Sequence, residues 1–512
     1  MNFNKLRNPK VKQAIVCFLI FVTFIIWFLP FLSLTPKNEL GDYGGDNLQY
    51  MFIAKSVLEG TGFRATNFPN QPPWIRAPLF PLILTPVIYF FGMDAYALHL
   101  CMMLISALAL AVIYLFFSSF NNSPKALLLT SILGASSLFV YASTRILSEI
   151  PFVILLGLSL IFIEKYNQSK KIFDKYFLLT TITLTIAFFI RNIGITLYLA
   201  YMIYLLFFGQ GNFNLRLRKA GSISVVFFSF ALVWLLRNRF LAEKSGYIAG
   251  YAAKAIMVKP SDPERGLLSI FGLLSRVLNN ITSRYSLRIG QQALGFIWNK
   301  TISKLISVTV LAGVLLKIKK KLTATEVFFL VYSLFIVAWS GVDFGRYVVP
   351  IQFLSIYYLF FFLESFFNLP RYRKYAKVAT FSLLAISLLS NAICTHKNLH
   401  RFPINTSKEM DSILTMNRWL AKNNHDKSAI IISRKPCIAH FFTGLKSCSF
   451  PYSRDHRLVW NTIKEKGARY ILLDNIFSQT KTYLEPALRE NRKHLKTVFS
   501  VNGSYILEVI EE

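Results

Sequence analysis

The residues of this chain with chemistry to do are a few acids and arginines set at the ends of long apolar runs. Ionisable groups are costly there and call for a reason. Asp46 lies in Gly45-Asp46-Asn47-Leu48-Gln49-Tyr50, just after the first apolar run, with Asp42 four residues before it. Residues 47–59 have helical spacing, with Leu48, Phe52, Val57 and Leu58 as the apolar side. A carboxylate partly desolvated at a membrane surface gains basicity and can take a proton from a bound hydroxyl. It can equally be no more than a helix N-cap. Glu149, in the short turn Thr144-Arg145-Ile146-Leu147-Ser148-Glu149-Ile150-Pro151, offers a second acid that positions an acceptor or helps to hold a cation. The alternative is an i,i+4 pair with Arg145. Arg191-Asn192 occupies another turn, and Asp343-Phe344-Gly345-Arg346-Tyr347, with Pro350 beyond it, a fourth place. A half-buried guanidinium suits a phosphate, because its fork makes two charge-assisted hydrogen bonds and stays ionised. Snorkelling anchors are the competing reading. Trp234 with Arg237-Asn238-Arg239 adds a further basic cluster.

The elements that must position these residues are membrane helices. Of 512 residues, 54% are hydrophobic and 48 are Phe, and the apolar residues gather into runs long enough to cross a hydrocarbon core. Eleven spans are expected, at 14–34, 95–117, 125–143, 150–164, 176–190, 193–208, 221–236, 302–316, 324–341, 346–366 and 378–395. The first run follows Lys5, Arg7, Lys10 and Lys12. It is longer than a signal-peptide core and lacks a small-residue cleavage site, so it reads as a retained helix.

The chain carries 57 Lys plus Arg against 25 Asp plus Glu, a formal charge of +32. With the N-terminus in the cytoplasm, the short cytoplasmic segments hold Lys165 to Lys175, Arg216 to Lys219, Lys317 to Lys321 and Arg371 to Lys377, which is the asymmetry that sets orientation. The charge is therefore topological, and no nucleic-acid partner or motif is expected. This orientation makes residues 1–395 a multi-pass membrane domain of the plasma (inner) membrane. Two large extracytoplasmic loops interrupt it, at 35–94 and 237–301. Within the first, Pro78 to Gly92 is too short and proline-rich to span and is expected to lie along the interface.

Residues 396–512 form the third extracytoplasmic piece, where the pattern changes. Helices are expected at 407–424, 455–467 and 480–490, and strands at Ser428 to Ser433, Arg469 to Asp474 and Tyr505 to Ile510, which together make a small α/β domain. Cys437 and Cys448 fall in this polar region and are candidates for a disulfide, whereas Cys17, Cys101 and Cys394 sit in or beside apolar runs. The seven histidines are scattered, and there is no P-loop or nucleotide-binding Gly-rich turn.

Taken in order, these segments resemble the GT-C glycosyltransferases, in particular bacterial relatives of the dolichyl-phosphate-mannose protein mannosyltransferases and the lipid A aminoarabinose transferases. The matching features are Asp46, Tyr50, Ala54 and Gly60-Thr61-Gly62, then Arg76-Ala77-Pro78-Leu79-Phe80-Pro81 running to Phe91-Gly92. Arg191, Trp234 with Arg237-Asn238, and Arg346-Tyr347 with Pro350 follow. The resemblance implies a polyprenyl-phosphate-linked sugar as donor. It implies transfer to an envelope glycan, lipid or protein outside the cytoplasm, with inversion. It makes Asp46 the candidate general base and puts Glu149 where relatives often have Asp. Arg346, Arg191 and Arg237 are expected at the donor phosphate, and Tyr50, Arg76 and Tyr347 are expected to position substrate. Asn47 stands where some relatives carry a second acid. A divalent cation is compatible with two carboxylates; no other cofactor is expected. A transporter or flippase, or a scaffold binding lipid-linked glycans, would also carry polar residues among spans. The polar groups here gather at one membrane face and not at the midplane sites of transporters.

Overall fold

In a computed structural model, residues 9–33, 45–64, 67, 76–242, 270–294, 300–338, 344–370, 375–397 and 408–510 are described. Asp42, Asp343, residues 243–269 and 295–299 of the second large loop and residues 398–407 lie outside them.

The chain is mostly helical, in the order α1 (Pro9–Ser33), α2 (Asp46–Leu58), α3 (Leu79–Phe91), α4 (Ala95–Ser118), α5 (Ser123–Ala135), α6 (Ser137–Ser143), α7 (Glu149–Gln168), α8 (Lys175–Ile190), α9 (Ile195–Phe208) and α10 (Phe213–Ala242). Further helices follow at Lys300–Lys320, Ala324–Ala338, Gln352–Phe367 and Ala376–Lys397. Among the described residues six helices are long and apolar enough to cross a membrane: Val11–Leu32, Ala95–Ser118, Phe213–Asn238, Lys300–Lys320, Gly345–Phe367 and Val378–Lys397. Outward-facing Phe207, Val225, Val233, Leu305 and Val308 give this bundle an apolar exterior, the mark of an integral membrane protein.

The expected span 125–143 is two helices, α5 and α6, bent by 65°. The break is chemical: Ser136 leaves the helical conformation to cap α6, accepting from the Phe139 amide, and Gln352 Nε2 donates to its hydroxyl at 2.8 Å. Counted as one span, the pair brings the total to seven. The runs expected at 176–190, 193–208 and 324–341 lie on the shorter apolar helices Lys175–Ile190, Asn192–Phe208 and Ala324–Ala338, so eleven exceeds what length and composition establish. α3 has only 13 residues and contains Pro86, in keeping with a helix that does not span.

The C-terminal segment forms a five-stranded sheet in the order β2-β1-β3-β5-β4, where β1 is Ile430–Ser433, β2 Lys446–Cys448, β3 Ala468–Leu473, β4 Leu495–Val501 and β5 Ser504–Val509. β1 runs parallel to β2 and β3, and β5 antiparallel to β3 and β4. The sheet's two-residue period divides its apolar side chains between two cores. Ile431, Leu472 and Ile506 join the large core continuous with the membrane bundle, whereas Ile432, Ile471 and Leu507 pack with Val459, Trp460 and Ile463 of the His456–Glu465 helix.

That division separates the two cysteines. Cys437 belongs to the first core and Cys448 to the second, and both are free thiols. Sequence patterning anticipates β1, β3, β5 and three helices, but not β2, β4 or the helix Pro436–Thr443. β2 has only three residues, and β4 is an edge strand whose Lys496, Thr497 and Ser500 blur any alternation. The sheet is tied to the first loop: Ser447 N donates to Asn67 O at 2.8 Å, Asn67 Nδ2 to Ser447 O at 3.0 Å, and the His440 ring packs edge-on against Phe52 at 4.9 Å.

Candidate active site

Asp46 is the first residue of α2, and the cap position before it is Gly45, whose φ of +91° favours glycine. Among the described residues the partners of the Asp46 carboxylate include no backbone amide. It turns instead to two guanidiniums, Arg76 at Oδ1 and Arg346 Nη1 at 2.6 Å from Oδ2. Arg76 comes from just before α3, and its Nε donates to Gln49 Oε1 at 2.8 Å. Gln49, one turn after Asp46 on the same helix face, therefore fixes the fork that meets Asp46.

Arg346, on the short helix Phe344–Val348, reaches both acids, because its Nε donates to Glu149 Oε1. Glu149 is the first residue of α7 and is buried. Its Oε1 also pairs ionically with Arg191 Nη1 at 2.7 Å, while Oε2 is buried with no hydrogen-bond partner among the described residues. Arg191 is aimed by the tight turn between α8 and α9. A side chain at Gly194 would collide with the Ala187 backbone at 2.6 Å, so the turn requires glycine. Arg145, the alternative partner of Glu149, lies with its guanidinium 4.5 Å from the Tyr141 ring.

Tyr50 and Tyr347 brace the cations. The Tyr50 hydroxyl is 3.3 Å from Ser148 Oγ, its ring meets Phe80 edge-on at 4.7 Å, and Arg76 lies over it at 5.3 Å. Arg191 lies 5.6 Å from the Tyr347 ring, and Tyr332 donates to the Tyr347 carbonyl at 2.9 Å.

Arg237 is elsewhere. It is stacked between Trp234 (4.7 Å) and Phe63 (5.7 Å) and donates to Phe63 O and Asn238 Oδ1. Its described partners thus include neither carboxylate.

The C-terminal segment contributes two residues that sequence reasoning missed. Lys435 approaches Gly45, beside Asp46, and Cys437 is a buried thiol that hydrogen-bonds Gln49. Only tertiary docking brings them there, and nothing in their local pattern signals it.

Two carboxylates and three guanidiniums thus form one chain, Arg76–Asp46–Arg346–Glu149–Arg191, with a surplus positive charge. Burial alone would raise the Asp46 carboxyl, but Arg76 and Arg346, with Lys435 beyond them, hold it at about 2. No three His, Cys, Asp or Glu side chains gather as a metal site among the described residues. The guanidiniums already supply the positive charge that a divalent cation would bring to these acids. Because Glu149 is buried against Arg191, Glu149→Gln leaves that cation without its counter-charge. Breaking a buried pair this way is expected to cost about 3–5 kcal/mol. A thermal unfolding midpoint in detergent indistinguishable from wild type would refute this.

An acid pair laced by arginines thus lies at one end of a mostly helical bundle that carries a small α/β domain. Three solved structures share the architecture. ArnT from Cupriavidus metallidurans bound to undecaprenyl phosphate matches with a TM-score of 0.55 at 12% identity, covering 99% of this chain and 98% of that one. Its apo state gives 0.57 at 12% identity, over 96% and 98%. The Archaeoglobus fulgidus oligosaccharyltransferase in complex with Zn and sulfate gives 0.58 at 12% identity, over 96% and 73%. At such identity the likeness is one of fold. In sequence, residues 73–257 match the family model described as Dolichyl-phosphate-mannose-protein mannosyltransferase. That stretch carries Arg76, Glu149, Arg191 and Arg237; Asp46 and Arg346 lie outside it. No curated protein matches the chain in sequence.

Proposed function

We propose that the protein transfers a sugar, a hexose or a pentose, from a polyprenyl-phosphate donor to an envelope glycan, lipid or protein on the extracytoplasmic face, with inversion at the anomeric carbon. The observation that carries this reading is the bridging of Asp46 and Glu149 by Arg346, between residues 300 and 197 positions apart in sequence. ArnT, which shares the fold, was crystallised with undecaprenyl phosphate, a lipid of the proposed donor's kind.

A lipid phosphate is already a good leaving group. The protein must therefore hold it, place an acceptor hydroxyl behind the anomeric carbon, and remove the hydroxyl's proton. Arg346 and its neighbours hold the phosphate; Asp46 takes the proton; the unpartnered Glu149 Oε2 accepts a hydrogen bond from a sugar or acceptor hydroxyl. Tyr50, Arg76 and Tyr347 keep these groups in register. Arg237, stacked on Trp234, borders the same loop and meets the outer part of a substrate. The scheme routes no step through a divalent cation. Direct displacement inverts the anomeric centre.

Orientation has physical support along α7. Glu149 begins that helix and Glu164 lies fifteen residues on, about 22 Å away at the rise of a helix. Lys321, in the basic run assigned to the cytoplasm, pairs with Glu164 at 3.1 Å. On this reading the acid pair faces the extracytoplasmic side, with the N-terminus cytoplasmic and the C-terminal domain outside.

The test is transfer in proteoliposomes carrying purified protein, labelled polyprenyl-phosphate sugars and envelope extract. Labelled acceptor supports the reading. No transfer with any donor, accompanied by lipid movement across the bilayer, would replace it with a flippase.

The pH profile gives a second handle. A base works ionised, so activity is lost as pH falls through its pKa. With Asp46 held at about 2 in the free protein, kcat/KM should stay flat on the acid side down to about pH 4. Arg76→Gln removes one stabilising charge and should move the acid limb up. A limb near neutrality, unmoved by Arg76→Gln, would assign the base to another group.

A further inference from the structure

The three guanidiniums exceed the two carboxylates by one charge, which matches the single charge of a phosphodiester donor. The reaction does not end with one charge. When the acceptor oxygen attacks the anomeric carbon, the bond from that carbon to the phosphate oxygen breaks, and its electron pair stays on the oxygen. The acceptor's proton passes to Asp46. The lipid leaves as a phosphate monoester dianion, so a second negative charge appears at the phosphate during the step itself.

We propose that Lys435, delivered by the C-terminal domain, contacts the donor phosphate and stabilises this second charge; the proposal rests on the transferase reading above. Lys435 immediately precedes the helix Pro436–Thr443. A Cβ built on Gly45 would lie 3.7 Å from Lys435 Cδ and 3.9 Å from its Nζ, so the ammonium stands one residue from Asp46. Gly45 leaves that space open, and any side chain there would meet the lysine.

The loop is held in place and not merely draped over the site. Its Lys435 amide donates to Ser433 Oγ, the ammonium lies 5.2 Å from the Phe477 ring, and Cys437, two residues on, is buried against α2. His440 on Phe52 and the paired Asn67 and Ser447 fix the segment that follows the loop. A preorganised cation facing charge that develops in the transition state raises kcat more than it tightens ground-state binding. On this view the C-terminal domain completes the site.

The experiment compares the full chain with Lys435→Gln and Lys435→Arg. Each is given the polyprenyl monophosphate and a methyl phosphodiester of the same lipid at pH 8, where the monoester is a dianion. Wild type is expected to prefer the monoester. Lys435→Gln should lose about tenfold in monoester affinity, the worth of one charge-assisted hydrogen bond, with diester affinity within about twofold. Its kcat should fall at least tenfold with little change in donor KM, and Lys435→Arg should recover most of both. Equal loss for the two lipids, or a kcat deficit that arginine leaves unrepaired, would make Lys435 a docking residue and overturn the proposal. Wild-type protein that neither transfers sugar nor binds the monoester would instead overturn the transferase reading beneath it.

Discussion

Replacing Arg346 with Gln is expected to lower transfer by about a thousandfold or more. Among the described residues Arg346 is the one whose fork touches both acids, Asp46 Oδ2 at 2.6 Å and Glu149 Oε1 through Nε. Without it Asp46 keeps Arg76 and Glu149 keeps Arg191, but among the described residues no cation then joins the two acids. Removing one preorganised donor to developing charge typically costs about 10²–10³, and an ångström of misplacement about another 10². The two losses overlap and will not simply multiply. Arg346→Lys keeps the charge but cannot bridge two carboxylates with a planar fork, so it should remain about a hundredfold below wild type. Initial rates in proteoliposomes decide the matter, with thermal unfolding as a control for folding. A Gln variant within tenfold of wild type would show that Arg346 is only an anchor.

The acids and the arginines were legible in the sequence for one reason: a charged side chain at the end of an apolar run is expensive and stands out. The same logic found Arg237 but could not separate it from the others. Its guanidinium stacks on Trp234 and Phe63, and whether a cation at a helix end meets the acids or a neighbouring ring depends on packing. Hydropathy likewise placed the run 125–143 but missed its break, since Ser136 is weakly marked and its hydroxyl bond to Gln352 spans 216 residues. In the C-terminal domain the buried strands β1 and β3 announced themselves through branched apolar runs. The docking that carries Lys435 to Gly45 did not, because it depends on which face of the sheet meets the membrane bundle.

The second large effect should come from Asp46→Asn, with kcat falling about 10²–10⁴, the usual contribution of a positioned base. Asparagine is nearly isosteric, and its side-chain oxygen can still accept from Arg346 or Arg76, so the loss isolates charge and basicity from shape. The sign of the binding change is the informative part. In the free protein the carboxylate occupies cations that the donor phosphate needs. Neutralising it removes one negative charge from beside an incoming anion, and donor affinity should hold or rise while turnover collapses. In the proposed reaction the same competition favours turnover: phosphate sharing Arg346 and Arg76 would raise the Asp46 pKa from its resting value of about 2 toward a range where it can hold a proton. A variant whose KM rises while kcat stays level would contradict this account, for it would mean that the carboxylate serves only to hold the arginines in place.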